Sequence, residues 1–236
     1  MRPKLLAYAV HAFTASGLIF SMLAVNSIAQ GEFHQSLIWL FGAYMVDAID
    51  GTLARKAKVK EVLPDFDGRM LDYVIDFLNF VFIPAYLVLK IDALPQSVEI
   101  PLVVLILLVS AYHYGNLKAV TTDHYFLGFP AAWNLVVFYI FFLSLSPIWN
   151  VCIVLFFAIM HFVPVKVVYL TRIQRYRKFH VSLTVVWALC NGYILFAHPE
   201  PIKEIMFVSL GIMFYMTFIS FWVTFKTPRN PSLELS

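Results

Sequence analysis

The chain has 236 residues, 61% of them hydrophobic and 13% charged, with a formal net charge of +3 and a mean hydropathy of +0.79. Soluble domains run nearer a quarter charged and under half apolar, so these figures exclude a water-soluble globule, a disordered chain and a large extramembrane domain. Cys152 and Cys190 each sit in an apolar run with no second ligand nearby, which points to neither a disulfide framework nor a zinc site.

A membrane span needs about 20 apolar residues, so this length accommodates roughly eight spans with short loops. Apolar runs at 5–28, 37–53, 70–89, 98–114, 131–145, 151–170, 181–197 and 205–225 predict them. The first follows Met1-Arg2-Pro3-Lys4, and it is too long for the core of a secretory signal, so it counts as a span. Runs such as Pro101-Leu-Val-Val-Leu-Ile-Leu-Leu-Val109 do not alternate polar with apolar residues, so the spans are helices rather than barrel strands. The expected fold is therefore an all-α, polytopic integral membrane protein. With the N-terminus in the cytoplasm, 15 of the 17 lysines and arginines fall on the inner side and only Lys90 and Lys203 outside. An even number of spans then places both termini in the cytoplasm. No soluble linker, low-complexity segment or internal repeat divides the chain, so one membrane-embedded domain is expected over residues 1–236.

Charge within a span is costly and points to function. Asp47 and Asp50 fall in the cytoplasmic half of the second span, Asp72 and Asp76 in that of the third, while most other acidic residues lie in loops or near span ends. At 100° per residue Asp47, Asp50 and Ala54 share one helix face, and Gly68, Asp72 and Asp76 share another. A short cytoplasmic loop joins the two helices, so they form an antiparallel hairpin with the carboxylate pairs at similar depth. Arg55 and Arg69 offer a buried salt-bridge cluster as one reading, but two arginines leave two negative charges over. Divalent cations fit better, and oxygen-only ligands select hard ions, magnesium or manganese. Two metals sharing the aspartates make a clamp for a pyrophosphate. Gly51, Ala54 and Gly68 remove side chains beside the carboxylates, either for helix packing or for a ligand lying against the backbone.

The residues read Asp47-Ala-Ile-Asp50-Gly51-Thr-Leu-Ala54-Arg55, then Gly68-Arg-Met-Leu-Asp72-Tyr-Val-Ile-Asp76. This resembles the signature of the CDP-alcohol phosphotransferase family, D-x-x-D-G-x-x-A-R…G-x-x-x-D-x-x-x-D, with all eight signature residues present. The twelve residues 56–67 between Arg55 and Gly68 exceed the family's usual spacing. That longer loop, the extra spans, Phe126-Leu-Gly-Phe-Pro-Ala-Ala-Trp133-Asn134 and Phe162-Val-Pro-Val-Lys166 are similar to the bacterial branch whose acceptor is choline.

The resemblance implies transfer of a phosphatidyl group from CDP-diacylglycerol to choline, giving phosphatidylcholine and CMP. It implies metal ligation by Asp47, Asp50, Asp72 and Asp76, with two ions of manganese or magnesium, and Asp76 as the general base. Gly51, Ala54 and Gly68 would then make room for the cytidine, and Arg55 would contact a phosphate. A bacterial inner membrane, an active site facing the cytoplasm and a homodimer are further expectations, with no nucleic-acid partner. Quaternary ammonium groups are held by aromatic faces beside a carboxylate. Tyr73, Tyr112, Tyr114, Tyr125, Phe129 and Trp133, with Asp123, are the acceptor candidates at the right depth, although aromatic residues are also ordinary packing and lipid-facing residues. Lys166 and Arg172 suit a lipid phosphate or plain positive-inside anchoring, and His113, His124 and Asn134 are either pocket or interfacial residues.

Two other readings stay open on the residues. Serine, glycerol phosphate or an inositol compound would replace choline if Lys166 and Arg172 formed a basic acceptor pocket. A carboxylate-lined cation transporter is the reading of another class. Its repeated halves and mid-membrane breaks are not visible in this sequence, whose aspartates cluster at one end of their spans.

Overall fold

The computed structural model describes residues 2–116, 125–168, 177–200 and 202–226. Each predicted apolar run overlaps a helix, the sixth only in its first part. The first run forms α1 (Arg2–Ala15) and α2 (Gly17–Ala29), and the second forms α3 (Phe33–Lys56). A short α4 (Val59–Val62) follows. The third run forms α5 (Gly68–Asp76), a π-helical turn (Phe77–Phe82) and α6 (Ile83–Lys90). Beyond them lie α7 (Glu99–Gly115), β1 (Tyr125–Leu127), α8 (Trp133–Leu143), α9 (Pro147–Met160), β2 (Lys166–Val168), α10 (Arg177–Phe196) and α11 (Lys203–Lys226). Among the described residues, five helical stretches are long and apolar enough to cross a membrane: Pro3–Ala29, Phe33–Lys56, Gly68–Lys90, Lys178–Phe196 and Lys203–Trp222. α7, α8 and α9 are shorter apolar helices. The protein is an all-α, polytopic membrane protein.

Three boundaries differ from the sequence reading, each for a local reason. The first run is interrupted at Ser16, whose hydroxyl donates to the Phe13 carbonyl at 2.6 Å, a back-bond that bends helices. The fifth run stops at Leu143 because Ser144 takes a left-handed conformation, φ 46°. The sixth run was expected over 151–170, but α9 starts at Pro147 and ends at Met160. Proline suits a helix's first turn, whereas Pro164 cannot continue one. The β-branched residues after Pro164 carry β2 instead.

The chain divides into two compact units. The first holds α1 to α8 and all but the end of α9. Here α3 runs along α2, α1 lies against α3, α4 and α5, and α6 packs on α2, α7 and α8. Lipid tails are as apolar as leucine, so helices associate through close approach and polar pairs. Gly17 allows that approach, since a Cβ there would sit 2.8 Å from Ile75 Cγ2 of α5. Asn79 of the π-helical turn accepts from the Ser21 hydroxyl of α2 at 2.8 Å. The widened turn precedes Pro84, whose ring would clash with the carbonyl four residues earlier in a regular α-helix. In residues 56–67, Val59 and Leu63 bury against Ala7 and Val10 of α1, so this loop is docked rather than extended. Asp67 then caps α5, accepting from the backbone N–H groups of Arg69 at 3.0 Å and Met70 at 3.2 Å.

In the second unit α10 packs against α11, and β1 pairs antiparallel with β2, Phe126 facing Val167. The Lys166 backbone N–H donates to Thr224 Oγ1 of α11 at 2.7 Å, and Ser209 donates to Asn191 Oδ1 at 3.0 Å. Gly128 follows β1 with φ +82°, and a Cβ there would lie 2.8 Å from the carbonyl oxygens of Met160 and His161. Only glycine suits that position.

Candidate active site

The site lies in the first unit, where the C-terminal part of α3 meets the start of α5. At 1.5 Å per residue, Asp50 and Asp47 lie about 9 and 14 Å from the end of α3, and Asp72 and Asp76 about 6 and 12 Å from the start of α5. Two antiparallel helices with these offsets pair Asp50 with Asp72 and Asp47 with Asp76. The side chains do so: Asp50 lies within hydrogen-bonding reach of Asp72, and Asp47 within reach of Asp76. One carboxylate oxygen from each of Asp47, Asp50 and Asp72 lies within 4.8 Å of the others. Asp76 lines the same cavity, beside Thr14, Gly17 and Asn79.

Among the described residues, no basic side chain forms an ion pair within this cluster. Among the described residues the ion pair is Lys58 with Glu61, on the surface at 3.7 Å, and no lysine or arginine pairs with the four aspartates. Arg55 is exposed and donates to Thr52 Oγ1 at 3.0 Å, close enough for its charge to act on Asp50. Arg69 is exposed as well. The arrangement is not a salt-bridge cluster. The converging carboxylates fit a hard divalent cation: all donors are oxygens, three lie within 4.8 Å of one another, and among the described residues no lysine or arginine pairs with them. The Asp47–Asp50–Asp72 group could therefore hold a metal ion.

The small residues lie on the same two helices. A Cβ on Gly51 would meet only Arg55 Nη1, at 3.4 Å, so the α3 backbone is open there. A Cβ on Gly68 would sit 2.5 Å from His11 Cε1, because α1 passes over the start of α5. Ala54 is half-buried against the docked 56–67 segment. The acceptor candidates separate. Tyr73 and Tyr114 form an edge-to-face pair at 5.9 Å, and Phe77 meets Tyr114 in the same way at 5.7 Å. The Tyr114 hydroxyl feels the charges of Asp76, Asp47 and Asp72. Tyr112 is exposed on α7. Trp133 is fully buried, its indole N–H donating to Ser110 Oγ at 2.8 Å, which makes it a link between α8 and α7. Lys166 is half-buried on β2, and Phe129 meets His161 edge-to-face at 5.1 Å, both in the second unit. Asp123, His124 and Arg172 lie outside the described residues, as does the Tyr125 side chain.

The sequence reading missed α1 and the π-helical turn. Thr14 is buried within hydrogen-bonding reach of Asp50, His11 covers Gly68, and Asn79 lines the cavity. The available signal was polarity inside a span: His11 and Thr14 are three apart on one face of an apolar helix.

The fold and the carboxylate site define a polytopic membrane enzyme of the CDP-alcohol phosphotransferase class. No family model matches the chain. It is 37% identical to the phosphatidylcholine synthase of Pseudomonas aeruginosa over 219 residues, covering 93% of this chain and 92% of that protein. It is 34% identical over 228 residues to the phosphatidylcholine synthase of Borreliella burgdorferi, covering 96% and 97%. The phosphatidylcholine synthase of Legionella pneumophila is 35% identical over 227 residues, covering 93% and 89%. The chain belongs to the phosphatidylcholine synthase family.

Proposed function

We propose that this protein transfers the phosphatidyl group of CDP-diacylglycerol to choline, giving phosphatidylcholine and CMP at the cytoplasmic face of a bacterial inner membrane. The observation that supports it most is the convergence of Asp47, Asp50 and Asp72, with Asp76 beside them and no ion-paired lysine or arginine among the described residues, in a chain of this family. The sidedness rests on the 15 lysines and arginines assigned to the aspartate-bearing side.

Asp47, Asp50, Asp72 and Asp76 would hold two divalent cations, manganese or magnesium. When bound, these ions offset the charge of the pyrophosphate and of the departing CMP. The bare faces at Gly51, Ala54 and Gly68 take the cytidine, and the exposed Arg55 guanidinium reaches a phosphate. Asp76 takes the proton of the choline hydroxyl as its oxygen attacks the lipid-side phosphorus. The bond from that phosphorus to the bridging oxygen breaks, and CMP leaves. Tyr73 and Phe77 each meet Tyr114 edge-to-face, and Tyr114 lies close enough to Asp76 to feel its charge, a set of aromatic faces beside a carboxylate that suits a trimethylammonium group. Lys166 is assigned to a lipid phosphate.

The test is kcat/KM for choline against its uncharged dimethylbutanol analogue and against serine. A desolvated cation over an aromatic face gains about 2 kcal/mol, so choline is expected to be favoured over the neutral analogue by about tenfold or more. Equal values for the two would remove cation recognition. Preference for serine or a phosphorylated alcohol would move the chain to another acceptor.

A further inference from the structure

α1 has no part in the carboxylate signature, yet it forms a third wall over the two helices that carry it. Its His11 ring lies tilted at 45° against Phe66, the centroids 4.3 Å apart. Phe66 belongs to the docked segment that precedes α5, so the ring is held from behind. Its other side faces Gly68, where a Cβ would lie 2.5 Å from Cε1 and 3.2 Å from Nδ1. His11 Nε2 is buried and has no hydrogen-bond partner among the described residues. Buried polar atoms in folded proteins are satisfied as a rule, and an orphan asks for the group that completes it. This orphan lies 3.6 Å from where a Cβ on Gly68 would stand, beside the small-residue face that the proposed function gives to the nucleotide.

We propose that His11 is a nucleotide-binding residue, its Nε2 making a hydrogen bond to the cytidine moiety that lies against Gly68, with Phe66 holding the ring in place. The inference rests on the assignment of Gly51, Ala54 and Gly68 to the nucleotide. The imidazole covers part of the bare face of Gly68, and a nucleoside bound against the exposed edge of the ring would complete the nitrogen. Thr14, one turn further along α1, addresses Asp50. One helix face would thus contact both the carboxylates and the nucleoside.

The experiment measures the Kd of CMP in the presence of manganese, with the full-length protein in detergent, for the wild type and for His11→Phe, His11→Ala and His11→Gln. Phenylalanine keeps the stack on Phe66 and removes the nitrogen; alanine removes both; glutamine restores a polar terminus. A lost hydrogen bond at a buried site is expected to raise Kd about tenfold in the phenylalanine and alanine variants alike. Glutamine should recover most of the loss, and KM for choline should stay unchanged. A role in helix contact alone would give the opposite ranking, with phenylalanine close to wild type and alanine worst, and that ranking overturns the proposal. If the phenylalanine variant fails to fold, the other two decide: equal Kd values for alanine and glutamine overturn it. Absence of metal-dependent CMP binding in the wild type would instead overturn the nucleotide site on which the proposal rests.

Discussion

Asp50→Asn separates the charge of the carboxylate cluster from its shape. Asp50 is 6% exposed, and an asparagine keeps an oxygen to accept from Thr14 and from the Gly51 backbone N–H. The substitution removes one of three converging charges. Two unit charges 4.8 Å apart repel by about 3.5 kcal/mol at an effective dielectric of about 20, and one neutralisation removes two of the three pairs. Water and local rearrangement screen most of this, leaving an expected gain of about 1 kcal/mol in metal-free protein, or roughly 2–4 °C in unfolding midpoint for a chain of this size. With manganese the order reverses. The wild type gains about 2.7 kcal/mol at a hundredfold excess over Kd, whereas the variant has lost a ligand and most of that gain. Thermal unfolding of detergent-purified protein, with EDTA and with manganese, reads both arms. A variant less stable than wild type in EDTA, or one with an undiminished manganese shift, would refute the view that these aspartates trade stability for an ion.

Further outcomes follow from the same geometry. Asp76→Asn should lower kcat by a hundredfold or more, a loss of about 3 kcal/mol, while CMP affinity stays within a few-fold of wild type, because a base acts in the transition state; near-normal turnover would remove Asp76 from that role. Gly51→Leu should weaken CMP binding without shifting the unfolding midpoint, since its Cβ meets only the mobile end of Arg55. Gly68→Ala should do both, losing about 1–3 kcal/mol of stability to the overlap with His11. Titration of labelled CMP and a melting curve for each variant distinguish the two positions. Tyr114→Leu should raise KM for choline about tenfold and leave KM for CDP-diacylglycerol unchanged, with Tyr114→Phe retaining most of the affinity, as steady-state kinetics would show.

The carboxylate hairpin was legible because helix geometry is short-range. Three- and four-residue spacings fix a face, and a loop too short to cross the membrane fixes the antiparallel pairing of α3 with α5. The contribution of α1 was not legible, because which face of an apolar helix turns towards a partner depends on contacts far along the chain. Gly17 against Ile75 decides it here, and no periodicity announces that contact. The docking of the 56–67 segment on α1 was not legible either, because Val59 and Leu63 are apolar residues in a polar loop with no period to assign them a partner. Trp133 shows the converse. Depth along the chain made it an acceptor candidate, and its orientation towards Ser110 makes it a helix link. Proline was the best boundary marker: Pro147 opens α9, and Pro84 follows the widened turn that carries Asn79.

The central claim is metal-dependent transfer at the aspartate hairpin, and product analysis tests it most directly. Purified protein in lipid vesicles would be given CDP-diacylglycerol labelled in its acyl chains, together with choline, and phosphatidylcholine and CMP would be counted in the same samples. The expected result is equimolar phosphatidylcholine and CMP, none of either in excess EDTA, and recovery on adding manganese or magnesium. Full product formation in EDTA after dialysis, or CMP release without phosphatidylcholine, would contradict the account.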